Sequence, residues 1–163
     1  MNESDNYRKN LLDFIDNITG AFIEKIAYKI DTSPTFDKSI LPFNFKYCFS
    51  IKFVTDKGIF LIRTAMTSFA IDTFWIEQVE ETESTDLIKP VHSLVRTIKY
   101  LTGQNNFAYK ITFELEKHDY IIFAAEIYDT EKGNYDYKIN DEMILVFEDR
   151  QDAEKFESFT NYA

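Results

Sequence analysis

The sequence predicts an α+β fold with an antiparallel, meander-rich sheet of six to seven strands and three helices. Segments 44–53 (NFKYCFSIKF) and 106–115 (NFAYKITFEL) alternate apolar and polar residues, as strands with one buried face require. Two other segments place apolar residues at helical steps of three and four. Because 45% of the 163 residues are hydrophobic, we expect one well-packed domain over residues 1–163. The expected order is helix, three strands, helix, three or four strands, helix.

The first half is predicted to hold one helix and a three-stranded meander. A helix over residues 4–30, with Ser4 as its N-cap, would bury the apolar stripe Tyr7, Leu11, Phe14, Ile15, Ile18, Phe22 and Ile26. The proline-bearing segment 32–42 is predicted as a loop. The strand that follows should bury the row Phe43, Phe45, Tyr47, Phe49, Ile51 and Phe53, with Cys48 on its polar face. A turn at 55–58 then leads to strands at 59–66 and 69–80.

The second half is predicted to begin with a helix at about 89–102. Its stripe is Leu87, Val91, Leu94, Val95, Ile98 and Leu101, and Gly103 takes the C-cap position. The strand from 107 should bury Phe107, Tyr109, Ile111, Phe113 and Leu115, before strands at 120–128, 135–139 (a short edge) and 143–147. Asp149 should cap a closing helix that buries Ala153, Phe156 and Phe159. Whether helix and meander form a repeated unit, or two amphipathic strands merely resemble each other, stays open.

The sequence predicts no cofactor, no metal site and no enzymatic activity. His92 and His118 are expected at the surface, and neither has a second His or Cys at metal-ligand spacing. Cys48 has no identifiable histidine partner, and no glycine-rich phosphate loop is present. Two adjacent acid pairs leave open an enzyme that uses clustered carboxylates: Glu80 with Glu81, and Asp141 with Glu142.

Charge is distributed unevenly along the chain. Residues 1–76 hold nine acidic and nine basic residues, whereas residues 77–163 hold nineteen acidic and nine basic ones, so the net charge of −10 lies in the second half. Such a surface repels nucleic acid and anionic membranes and attracts a basic protein partner. The alternative is that the excess acid serves solubility alone. The single cysteine and the absence of a long apolar run favour a cytoplasmic location.

Segment 128–137 (YDTEKGNYDY) combines tyrosines with acids on a turn-rich connection, a composition that suits an interface. With Tyr135 and Tyr137 as anchors, we predict that the partner-binding residues are Glu80, Glu81, Glu83, Asp129, Glu131, Tyr135, Asp136 and Tyr137. The alternative is an ordinary hairpin whose tyrosines pack inward.

This small acidic α+β build, with ETESTD at 81–86 and YDTEKGNYDY, resembles the immunity proteins that protect bacteria from interbacterial toxins. The resemblance implies a cytoplasmic, non-enzymatic protein that binds one toxin domain. The order of elements is also similar to type III secretion chaperones and YbjN-like proteins, although the strand at 143–147 exceeds what those families need. That second resemblance implies a chaperone-like binding role. Neither assigns a site residue or an oligomeric state.

Overall fold

The computed structural model describes residues 2–80, 87–130 and 135–158 as two α-helices and an eight-stranded antiparallel sheet. The elements are α1 (Glu3–Ile18), β1 (Phe22–Ile30), β2 (Lys46–Thr55), β3 (Gly58–Met66), β4 (Asp72–Val79), β5 (Leu87–Thr102), β6 (Ala108–Leu115), β7 (Asp119–Asp129), β8 (Tyr135–Phe147) and α2 (Arg150–Glu157). The predicted antiparallel α+β class is confirmed. The predicted counts are wrong for the described residues, which form eight strands and two α-helices.

Six strands of the sheet close into a ring in the order β1-β5-β6-β7-β8-β2, because β1 pairs with both β5 and β2. Cys48 of β2 pairs with Ile30 of β1 on one side and with Ile144 of β8 on the other. After Cys48, the edge of β2 that pairs with β8 pairs with β3 instead. Strands β3 and β4 therefore extend out of the ring. The strand order therefore ends at β4.

The described residues form two apolar clusters on opposite faces of β7 and β8. The first joins the inner face of the ring to the buried side chains of β3 and β4, and α1 inserts Leu11, Phe14 and Ile18 into it. The second lies outside β7 and β8, beneath α2 and the segment 36–45. Ile122 and Phe123 show the alternation, since the former joins the first cluster and the latter the second. Both faces of β7 and β8 are therefore buried, as expected for central strands.

The predicted first helix is wrong beyond residue 18. Thr19 takes an extended backbone and Gly20 has φ +83°, a left-handed value that ends the helix. The residues that follow form β1, in which a register shift between Ile23 and Lys25 places Ile23 and Ile26 inside the ring. The N-cap is Asn2 and not Ser4, because the Asn2 side chain accepts the backbone N–H of Asp5 at 2.9 Å.

The predicted second helix is wrong, because residues 87–102 form strand β5. The inward residues Val91, Ser93 and Val95 alternate as in any strand. A bulge between Val95 and Thr97 then shifts the next inward residue to Ile98. The resulting spacing of Val91, Val95 and Ile98 imitates a helical stripe. Without this helix, the repeat of helix and meander does not occur in the described part of the chain.

The face predicted for β2 is wrong at two positions. Lys29 and Ile30 of β1 pair with Ser50 and Cys48, so Phe49 is one extra residue in β2. This bulge turns Phe49 outward and buries the Cys48 side chain completely. By contrast, the predicted burial is confirmed for Ile51 and Phe53 in β2 and for Ile111 and Phe113 in β6.

The last strand is one long strand rather than the two that were predicted. Ala124 pairs with Ile144 and Ala125 with Ile139, so residues 140–143 loop out of the β7–β8 ladder as a bulge. Asp149 caps α2, and the burial of Ala153 and Phe156 confirms the predicted inner face. Phe159 lies outside the described residues. Among the described helices none is long and apolar enough to cross a membrane.

Candidate functional site

Of the predicted acidic interface residues that the structure describes, Glu80 lies apart from Asp129 and Asp136. Glu81, Glu83 and Glu131 lie outside the described residues. Glu80 is exposed just after β4, near the start of β3, because Val79 pairs with Ile59. Asp129 and Asp136 lie on the β7–β8 hairpin, on the side where Asp72, at the other end of β4, meets β8.

The two predicted anchor tyrosines pack inward. The Tyr135 ring is buried edge-on against Phe36 at 6.4 Å, and its hydroxyl oxygen accepts the backbone N–H of Asp37 at 3.4 Å. Tyr137 is half-buried 4.4 Å from the Phe156 ring, and its hydroxyl donates to the Glu157 carbonyl at 3.0 Å. Tyr135 is therefore buried, as in the alternative of a hairpin whose tyrosines pack inward, and its role as an anchor stays a prediction.

Four carboxylates gather at the bulge of β8, and we call this group the β8 acidic shelf: Asp72, Glu126, Asp141 and Glu142. Asp141 and Glu142 belong to the bulge itself, where the Asp141 carboxylate accepts the backbone N–H of Glu142 at 2.8 Å. The Glu142 carbonyl accepts the Thr64 hydroxyl at 2.6 Å, which ties the bulge to β3. Glu126 comes from β7 and Asp72 from the start of β4.

Electrostatic crowding marks the shelf. Burial first, and then the charges of Asp141 and Glu142, raise the pKa of the Asp72 carboxyl, while Lys138 lowers it. The same causes in the same order raise the pKa of Glu126, which lies within hydrogen-bonding reach of Asp141. Like charges held together in this way favour the neutral form of each carboxyl. A positive charge placed at the shelf would therefore reduce the repulsion among its carboxylates.

Asn140 holds the bulge against the neighbouring strands. Its side chain is 4% exposed, and its Nδ2 donates to the carbonyls of Asp72 at 3.1 Å, Ala108 at 3.2 Å and Phe107 at 3.4 Å. Its φ of +56° is left-handed, a conformation that asparagine tolerates better than most residues. A Cβ on Gly103 would lie 2.6 Å from its Oδ1, so a larger residue at 103 would displace the Asn140 amide. Asn140 thus fixes where Asp141 and Glu142 emerge.

Exposed apolar side chains border the shelf. Met66 pairs with Asp72 across β3 and β4 and is 70% exposed. Phe69, in the turn after β3, is also exposed, with its ring 6.0 Å from that of Phe107. Tyr128 is exposed as well, and the charges of Asp136 and Asp141 contribute to its raised pKa after burial. Met66 is thus the strand neighbour of the shelf residue Asp72, and Phe69 lies in the turn that leads to it.

A cleft between α2 and the outer faces of β5 and β6 contains both acidic and basic side chains. Each of its three cations contacts an acid: Lys99 with Glu114 at 2.8 Å, Lys110 with Glu157 at 2.7 Å, and Arg150 with Asp119. Since these pairs neutralise one another, the cleft offers no charge complementarity to a simple anion.

The candidate catalytic groups lack the environment of a nucleophile or a metal ligand. Burial raises the pKa of the Cys48 thiol to about 12, so it stays protonated at neutral pH. His92 and His118 are exposed beside the rings of Phe22 and Tyr120. Within the described residues, no three His, Cys, Asp or Glu side chains are arranged to hold a metal ion.

Sequence reasoning found Asp141 and Glu142 only as an acid pair and missed Asp72 and Glu126. One available signal was Asn140-Asp141, two turn-forming residues inside a strand-like run, which is typical of a bulge. The approach of Asp72 and Glu126 depends on pairing between distant strands, for which no local signal exists. No protein-family model matches the sequence, and no curated protein or solved structure matches it either.

Proposed function

We propose that this protein is a cytoplasmic, non-enzymatic module that binds and neutralises a basic protein partner, in the manner of an immunity protein. The observation that supports this proposal is the β8 acidic shelf beside the exposed side chains of Met66 and Phe69. A toxin domain is the type of partner that the resemblance to immunity proteins implies.

A basic partner would lower the electrostatic free energy of the shelf. Crowded carboxylates with raised pKa values weaken the folded state at neutral pH, because unfolding would separate the charges. A Lys or Arg side chain of a partner would remove that repulsion on binding. Charge complementarity would also speed encounter, while Met66 and Phe69 supply contact area that dissociation must expose.

Two alternatives differ in class. A secretion-chaperone-like protein would also bind a partner, but through apolar surface that shields an unfolded segment. An enzyme with clustered carboxylates is favoured by one observation, the raised pKa of Glu126, since a general acid needs such a shift. The salt dependence of binding separates the first alternative from our proposal, and turnover that is lost in Glu126→Gln would support the second.

The proposal is tested by capture from lysate of the native host. The bait is compared with a shelf-neutralised variant that combines Glu126→Gln, Asp141→Asn and Glu142→Gln. The control has the same net charge and combines Asp16→Asn, Glu24→Gln and Glu154→Gln at exposed positions elsewhere. We expect the parent and the control to capture the same basic protein, and the shelf-neutralised variant to lose it. Equal capture by all three would refute the shelf as the interface.

A further inference from the structure

The strand order of the sheet ends at β4, so among the residues that the structure describes one edge of that strand has no neighbouring strand. Ile76 shows the direction of this edge, because both its N–H and its carbonyl point away from β3. Alternate residues of an antiparallel strand point the same way, so Phe74 and Gln78 present their backbone groups on this edge too. An open edge on an apolar segment such as TFWI is a template for strand pairing.

Asparagine side chains occupy hydrogen-bonding positions that a neighbouring strand would take. Asn10 of α1 donates from Nδ2 to the Ile76 carbonyl at 2.8 Å, and its Oδ1 accepts the Ile76 N–H at 3.0 Å. This two-point contact reproduces the pair of bonds that a strand residue makes with its partner. At the start of β4, Asn140 donates to the Asp72 carbonyl at 3.1 Å.

Helix α1 is attached along β4 by one of its faces. Glu3, Tyr7 and Asn10 recur at steps of four and three and so lie on one side of the helix. The Glu3 carboxylate accepts the backbone N–H of Ser68 at 3.1 Å and its hydroxyl at 2.7 Å, in the turn before β4. The Tyr7 ring packs edge-on against Trp75 at 5.6 Å.

We propose that this face of α1 replaces a missing strand and keeps β4 from pairing with β4 of a second copy of the chain. A second copy is the occupant that the edge fits, because an antiparallel strand edge is self-complementary about a two-fold axis. Asn10 is the positioning residue of the device. Its side chain is partly buried, and the edge of β4 satisfies both its donor and its acceptor.

The test compares the double variant Glu3→Ala with Asn10→Ala against a matched control, Asp16→Ala with Asn17→Ala. The control likewise removes one acidic residue and one asparagine, from the exposed face of the same helix. Light scattering after size exclusion, over a concentration series, gives the molar mass. Hydrogen exchange followed by NMR gives the protection of the Ile76 amide.

We expect the parent and the control to be monomers. In the double variant, at concentrations low enough to keep it monomeric, the Ile76 amide should exchange at least about tenfold faster than in the control, because association through β4 would protect the same amide. The molar mass of the double variant should also double as the protein concentration rises. Adding Gln78→Pro should suppress this association, because proline on an edge removes an outward donor and blocks pairing.

Several outcomes would overturn the proposal: a parent that already pairs through β4, unchanged exchange at Ile76, a folded monomer with an exposed edge, or association that Gln78→Pro leaves intact. If circular dichroism shows that the double variant does not fold, Asn10→Asp replaces it. That side chain keeps the acceptor for the Ile76 N–H and loses only the donor to the carbonyl, so the molar mass and its response to Gln78→Pro are the criteria that apply to it.

Discussion

Two phenylalanines four residues apart on β2 should respond very differently to truncation. Phe53 is 0% exposed and stacks on Phe113 with ring centroids 4.7 Å apart, whereas Phe49 is 49% exposed on the bulge. Phe53→Ala should cost about 3–5 kcal/mol, the usual range for a fully buried phenylalanine. About 0.5–1.5 kcal/mol of that loss comes from the aromatic pair. Phe49→Ala should cost about 1 kcal/mol, since half of a burial free energy of about 1.5–3 kcal/mol is at stake.

Urea titration followed by the fluorescence of Trp75, the single tryptophan, measures both losses. Equal m-values in the two variants would show that the midpoints report stability and not a change in the unfolded state. Losses that agree within about 0.5 kcal/mol would refute the bulge, because both residues would then be equally buried. A larger loss for Phe49→Ala would mean that the opposite face of β2 lies in the core.

Three further predictions concern the β8 junction, the thiol and pH. Gly103→Ala should lower the free energy of unfolding by about 1–3 kcal/mol, because its Cβ would overlap Asn140; an unchanged urea midpoint would contradict this. Cys48 should react with a thiol reagent only after denaturation, so rapid labelling of the native protein would contradict its burial. The pKa values of Asp72 and Glu126 are raised in the folded protein, so folding favours their protonated forms. The free energy of unfolding should therefore increase as the pH falls through the folded-state pKa values of these groups. The increase is complete below their unfolded-state pKa values, about 3.9 for Asp and 4.3 for Glu. Thermal melts should therefore show a smaller gain on mild acidification for Glu126→Gln than for the parent, and an equal gain would count against the crowding.

Local alternation was enough to predict much of the sheet. The inward residues Ile111 and Phe113 follow from the period of two, and the Asp149 cap follows from side-chain chemistry at a helix start. Two bulges explain the wrong face predicted at Phe49 and the helix wrongly predicted for β5. One extra residue at Phe49, or a shift after Val95, changes which face later residues occupy, and no local propensity reveals it.

The positions of the predicted site residues depend on long-range contacts that the sequence does not show. Burial of Tyr135 depends on its contact with Phe36, and the shelf depends on β4, β7 and β8 meeting at Asn140. These contacts join residues far apart in the chain, so composition identified the acidic half but not where its charges gather. The contact of Asn10 with β4 could not be predicted for the same reason, because its partner Ile76 lies 66 residues away.

The central claim, that the β8 acidic shelf binds a basic partner, is tested most directly by association kinetics across ionic strength. The captured partner is immobilised, and the parent is compared with the shelf-neutralised variant and its equally charged control. We predict that association of the parent and the control slows steeply as salt rises, whereas the shelf-neutralised variant associates slowly with a flatter salt dependence. Association of the parent that is indifferent to salt, or equal rates for all three proteins, would contradict the claim and leave the excess acid as a solubility feature.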